Sequence, residues 1–173
     1  MSNIFIGYIF VFFHLKINGF DLLPDFIGYI LIYRGLCKLT VETAIFEKAK
    51  PATIGMGILS FMSLIVGGII NYNSLIWSVI NLLATLVSIY ILYIINTGIY
   101  EIEQTRNIPL NSEKLFEIWK IQSVLSIGCT VLAWIPNTII AVIAVLLTLA
   151  AIIANIVFLV NLNNTKKVFE SVN

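Results

Sequence analysis

Apolar residues run almost unbroken through six stretches of the chain, approximately Ile4 to Ile17, Leu22 to Leu39, Thr53 to Ile70, Ser74 to Ile99, Ile118 to Ile135 and Thr138 to Leu162. A helix needs about 20 such residues to cross the hydrocarbon core of a bilayer. The breaks at Asn18-Gly19, Asn71 to Asn73 and Pro136-Asn137 are short and made of turn-forming residues, so the stretches pair into three hairpins. The breaks between hairpins, residues 40–52 and 100–117, and the tail after Leu162 are charged. The expected fold is all-α, a single integral membrane domain over residues 1–173 with six transmembrane helices arranged as three hairpins. The first stretch is the shortest and carries His14 and Lys16 near its outer end. Residues 4–39 therefore either cross twice or form a re-entrant hairpin; two crossings fit an even number of spans and the charge pattern that follows.

Charge assigns the sides. Of the ten basic residues, nine (Arg34, Lys38, Lys48, Lys50, Arg106, Lys114, Lys120, Lys166 and Lys167) fall with the long charged segments, and only Lys16 falls with the short turns. Because cytoplasmic loops accumulate Lys and Arg, a multi-pass protein of a bacterial inner membrane is expected, with both termini in the cytoplasm. Composition points the same way, since 11% charged residues is far below the roughly 25% of soluble domains. A net charge of +1 gives no basis for a nucleic-acid partner. The expected partners are the lipid bilayer and either another membrane protein or a second copy of the chain.

Within the apolar stretches, small and polar residues recur at steps of three and four, which places them on single helix faces. The fourth stretch carries Ser74, Ser78, Asn81, Thr85 and Ser88; the fifth Ser123, Ser126, Thr130 and Ala133; the sixth Asn137, Ala141, Ala144, Thr148, Ala151 and Asn155. A less regular stripe in the third joins Thr53, Gly57, Ser60, Ser63 and Gly67. Such stripes ordinarily pack helices closely in lipid, and packing is the simpler reading. The functional alternative is a solute path lined by Ser78, Asn81, Thr85, Ser88, Ser126, Thr148 and Asn155. Thr85 and Thr148 lie about ten residues, or roughly 15 Å at the helical rise, from their outer turns and so near the midplane.

The ionisable residues give little support for catalysis. His14 is the sole histidine, and the chain has no H-E-x-x-H, no P-loop and no G-x-G-x-x-G, so no enzymatic role, metal or cofactor is expected. No Asp, Glu or His lies in the central half of a predicted span, which argues against an ion-coupled pump. Asp21 and Asp25, four residues apart, are read as a helix cap and its first-turn partner, with a paired-carboxylate cation site as the alternative. Arg34 in the inner half of the second span either snorkels to the headgroups or turns inward to pair with Glu101 or Glu103. Asn111 is the expected cap of the fifth helix, with Leu110 and Leu115 as a hydrophobic staple. Cys37 and Cys129 sit in apolar runs and are read as small core residues.

The run Asp21-Leu22-Leu23-Pro24-Asp25-Phe26-Ile27-Gly28-Tyr29-Ile30-Leu31, followed by Arg34-Gly35-Leu36, resembles the N-terminal segment of small uncharacterised membrane proteins from Firmicutes over about residues 18–39. That resemblance implies no activity. Gly28 and Gly35, seven residues apart, leave a smooth groove for a neighbouring helix. In size, helix number and inside termini the chain is also similar to the substrate-binding subunits of energy-coupling-factor vitamin transporters, although only Gly7, between Phe5 and Tyr8, stands where that family often has a pair of alanines. The sequence thus leads to a non-enzymatic structural or accessory membrane subunit, with the substrate-binding subunit of a small-solute, vitamin-like transporter as the alternative.

Overall fold

The computed structural model describes residues 1–12, 16–17, 20–21, 25–66, 75–135 and 137–172. Among them are six helices: α1 (Ser2–Phe12), α2 (Asp25–Leu39), α3 (Lys50–Val66), α4 (Leu75–Arg106), α5 (Ser112–Leu132) and α6 (Thr138–Val172). A two-residue antiparallel ladder pairs β1 (Lys16–Ile17) with β2 (Phe20–Asp21), Lys16 opposite Asp21. A 3-10 helix, Ala44–Ala49, leads into α3. Three helices are long and apolar enough to cross a membrane: α4 over Ser78–Arg106, α5 and α6. By contrast α1, with 11 residues, reaches only about 16 Å, half the thickness of a hydrocarbon core.

The helices form a ring in chain order, each against the next and α6 back against α1, with the α3 to α4 contact the thinnest. Close backbone approach sets the α1–α2 pair. A Cβ on Gly7 would lie 2.7 Å from the Gly28 carbonyl oxygen, and one on Gly35 would lie 2.5 Å from the Ile4 side chain. The groove expected along Gly28 and Gly35 is therefore filled by α1. Ile32 and Leu36 complete that face, both fully buried.

Packing is concentrated at the charged end. Buried residues lie at Ile4 and Tyr8 in α1, from Ile91 to Ile102 in α4, at Leu115, Ile118 and Gln122 in α5 and from Ala154 onward in α6. Phe46 of the 3-10 helix is fully buried beneath Gly98, whose absent side chain leaves room for its ring. The most apolar 18-residue window of α6 has no buried residue at all. Its Ile139, Val142, Val145 and Leu146 are exposed on a surface that only lipid or another protein can cover.

The loop between α4 and α5 corrects one expectation. Asn111 precedes α5 with φ 55° and makes no side-chain cap hydrogen bond. Its left-handed backbone aims the side chain away from the first turn, and Glu103, reaching over from α4, takes its place. The Glu103 carboxylate accepts from the Leu110 amide at 3.1 Å and the Ser112 amide at 2.9 Å. The hydroxyl of Thr165 then donates to the Leu110 carbonyl at 2.8 Å, tying α6 to the same loop. Leu110 and Leu115 are both fully buried. At the same end Arg106 pairs with Glu42 at 2.5 Å, and the hydroxyl of Ser2 donates to Glu170 at 2.8 Å. Burial there holds the Met1 amino group below its ordinary value, against the opposing pull of Glu170.

Two outcomes follow. Gly28→Ala forces its methyl against the Gly7 carbonyl and is expected to destabilise by about 1–3 kcal/mol, read as a lower melting temperature in detergent. Glu103→Ala strips the cap from α5 and is expected to destabilise by roughly 1–3 kcal/mol, whereas Asn111→Gly relieves a left-handed backbone and leaves stability equal or higher. Equal losses at Glu103 and Asn111 would restore the original assignment of the cap.

Candidate functional site

Toward the turn end the ring opens around a cavity of about 490 Å3 that touches all six helices. It lies where α1 ends and α2 begins. Phe12 and Val11 of α1, Asp25 and Tyr29 of α2 and Met56 of α3 form one side, and the polar stripes of α4, α5 and α6 form the other. Beneath it the rings of Tyr8, Phe12 and Phe158 meet with centroids 5.1 to 6.1 Å apart and separate it from the core at the charged end.

Six of the seven residues read from the sequence as a solute path line this one space: Asn81, Thr85, Ser88, Ser126, Thr148 and Asn155. Ser78, one turn nearer the outer end of α4, does not. The stripes face inward as expected of a packing seam, yet they are not sealed. Ser88, Thr85, Ser126 and Asn155 are half-buried, while Asn81 and Thr148 are exposed, because the helices stand apart at this level. Contacts across the space are few. They join Tyr29 to Ser88 at 3.2 Å, Thr85 to Thr130 at 3.4 Å and Cys129 to Thr148 at 3.8 Å, and the Gln122 amide donates to the Asn155 side-chain oxygen.

Four of the lining hydroxyls send their protons the same way. Thr85 donates to the Asn81 carbonyl, Ser123 to Trp119, Thr130 to Ser126 and Thr148 to Ala144, each four residues back along its own helix at 2.8 or 2.9 Å. Such back-bonding leaves the hydroxyl oxygens facing the cavity as acceptors. Beside them the Oε1 atom of Gln122 is buried with no hydrogen-bond partner, and Asp25 stands in the lining as its one carboxylate among the described residues. The lining is thus rich in acceptors, and no Lys or Arg is among its described residues.

Several sequence readings fall elsewhere. Arg34 does not meet Glu101 or Glu103: it is exposed on the outer face of α2, beside a cleft against α3. The reason is helical register, since Gly35 and Leu36 take the inward positions, and both acids have nearer partners. The Thr43 hydroxyl donates to Glu101, and Glu103 caps α5. Asp21 and Asp25 do not share a helix face, because Asp21 belongs to the β ladder and α2 starts at Asp25. His14, Ser74 and Gly67 lie outside the described residues.

Two contributors were missed by sequence reasoning. Gln122 continues the α5 stripe at steps of three and four with Trp119, Ser126 and Cys129, and an amide inside an apolar helix was a usable signal. Tyr29 carried none, because an aromatic residue in a span reads as lipid-facing or interfacial. Comparison with protein-family models, with curated proteins and with solved structures finds no match in any of the three.

The open geometry separates cavity from seam. Thr148→Leu places its larger side chain in empty space, and its stability is expected to stay within about 0.5 kcal/mol of the parent in a detergent melt. A tightly packed seam would instead lose folding through overpacking, by roughly 1–3 kcal/mol.

Proposed function

We propose that this protein binds a small hydrogen-bonding solute within the membrane, in the manner of the substrate-binding subunit of a transporter. The observation that carries the reading is the convergence of Asn81, Thr85, Ser88, Ser126, Thr148 and Asn155, from three helices, on one polar space into which threonine hydroxyl oxygens face as acceptors. Polar groups in lipid ordinarily find partners, so a polar space between apolar helices is best explained by a solute that hydrogen-bonds to its lining. No catalytic step is assigned. The lining offers acceptors and shape rather than an activated nucleophile.

The topology that goes with it is three hairpins inserted from the cytoplasmic side, six passes in all, with both termini inside. The cavity then faces outward, because the core at the charged end closes the inner half of the bundle.

A structural or accessory role is supported by a different observation, the uncovered apolar face of α6. A mild-detergent pull-down of tagged protein with mass spectrometry distinguishes the two: an ATPase with a transmembrane coupling subunit favours transport, and non-transport partners or the chain alone favour the accessory role.

Cys129 lines the cavity and Cys37 is exposed elsewhere. In a Cys37→Ala protein, a charged, membrane-impermeant methanethiosulfonate is expected to modify Cys129 from the outer face of sealed vesicles and not from the inner face. Absence of modification from the outer face would eliminate an outward-open cavity.

A further inference from the structure

The polar cavity borders a second space of opposite character. Between α3 and α4, the neighbours that touch least around the ring, lies an open cleft of about 620 Å3 walled by Gly55, Leu59, Leu83, Leu86 and Tyr90. Met56 and Ala84 line both the cleft and the cavity, so the two spaces share a wall at the same level of the bundle. Leu83 and Leu86 are 56% and 44% exposed, which marks the cleft as open to whatever surrounds the helices. In a chain with membrane-spanning helices that surrounding is acyl chain.

Gly55 makes the opening specific. Gly7, Gly28, Gly35 and Gly98 each admit a neighbour so close that a Cβ would meet another atom within 2.4 to 2.7 Å. A Cβ on Gly55 would meet nothing within 4 Å. This glycine brings no helices together; its missing side chain keeps the α3 wall of the cleft low. Close packing explains the other four, whereas Gly55 is exposed and widens the mouth of the cleft.

Together the spaces describe a ligand with two ends. One end meets the Thr85 and Thr148 hydroxyl oxygens, whose protons are already committed to their own helices, and so must bring donors. It meets no Lys or Arg among the described residues of either lining, which disfavours a phosphate or carboxylate. The other end lies against aliphatic carbon. We propose that the bound solute is a single-chain amphiphile with an uncharged, hydroxyl-bearing head. Its head sits against the seam of Thr85, Gln122 and Thr148, and its tail leaves between α3 and α4 into the bilayer. The inference rests on the solute-binding reading above and adds the chemical class and the lateral route.

The test uses the full chain carrying Cys37→Ala in phosphatidylcholine nanodiscs, with the rate of Cys129 modification by N-ethylmaleimide followed by mass spectrometry. Doping with 1-monooleoylglycerol to ten times its dissociation constant is expected to slow modification about tenfold, as site occupancy requires. Glycerol alone and 1-oleoyl-lysophosphatidate, which has the same chain and an anionic head, are expected to leave the rate unchanged. Gly55→Phe fills the cleft and is expected to abolish the protection. Leu83→Trp, on the opposite wall, makes the same test should Gly55→Phe melt early. Protection that persists in both plugged variants, equal protection by the lysophosphatidate or by glycerol alone, or no protection by 1-monooleoylglycerol would each overturn the amphiphile. A Cys129 that is unreactive even in undoped discs would instead overturn the solute-binding reading beneath it.

Discussion

The backbone-to-backbone approach of α1 and α2 at Gly7, Gly28 and Gly35 is the contact on which the rest of this structure depends. In lipid two helices gain no hydrophobic drive from meeting, so their attraction comes from dispersion and weak polar contact over the closest possible approach. Three glycines make that approach possible here, and they fix the first hairpin at the charged end. From that position Tyr8 and Phe12 reach Phe158 of α6 and close the ring. Because α1 stops at Phe12 and α2 starts at Asp25, the helical part of the hairpin fills only the lower part of the bundle, and the cavity begins where it ends.

An asymmetry of cohesion follows. At the charged end the chain has many kinds of attachment: a carboxylate of α4 capping the next helix, a hydroxyl tying α6 to the loop before α5, an Arg to Glu pair and a buried phenyl ring under a glycine. Among the described residues of the turn end, the hydrogen bonds across the gap are a handful of hydroxyl, thiol and amide pairs. Local opening costs least where buried contacts are fewest, so motion of the outer halves of α3 to α6 is expected before any loosening of the inner core. A site that must admit and release a ligand belongs at the loosely held end.

How far this could be read from the sequence differs by feature and for physical reasons. The all-helical fold and the helices apolar enough to cross a membrane were legible because lipid imposes long apolar runs with little tolerance. Convergence of the α4, α5 and α6 stripes was legible as faces, since helical periodicity fixes which residues point together. Whether those faces close on one another or enclose a space depends on how far apart the helices stand, which no single helix encodes. The Arg34 pairing failed for a related reason: spacing placed it on a helix but not on a side of it, and the inward positions were taken by Gly35 and Leu36. Asn111 failed because capping preference was read without the backbone, whose left-handed turn handed the role to Glu103.

The same threonines and serines that satisfy a packing seam are suited to line a site, and the reason is local. A hydroxyl in a lipid-embedded helix must place its proton somewhere, and the carbonyl four residues back is always within reach. Once that bond is made, the residue costs little to leave facing an open space and still presents an oxygen to it. An amide can spend one hydrogen in this way, as Asn161 does on the Val157 carbonyl at 2.7 Å, but it has a second hydrogen and an oxygen still to satisfy. Gln122 has two kinds of polar atom to satisfy; one finds Asn155 and the other finds nothing. The hydroxyls can therefore persist in an empty cavity at little cost, whereas the buried Gln122 oxygen carries a standing penalty of about 1–3 kcal/mol. That difference makes the hydroxyls, rather than the single amide, the groups of this wall best suited to face a space that is sometimes empty.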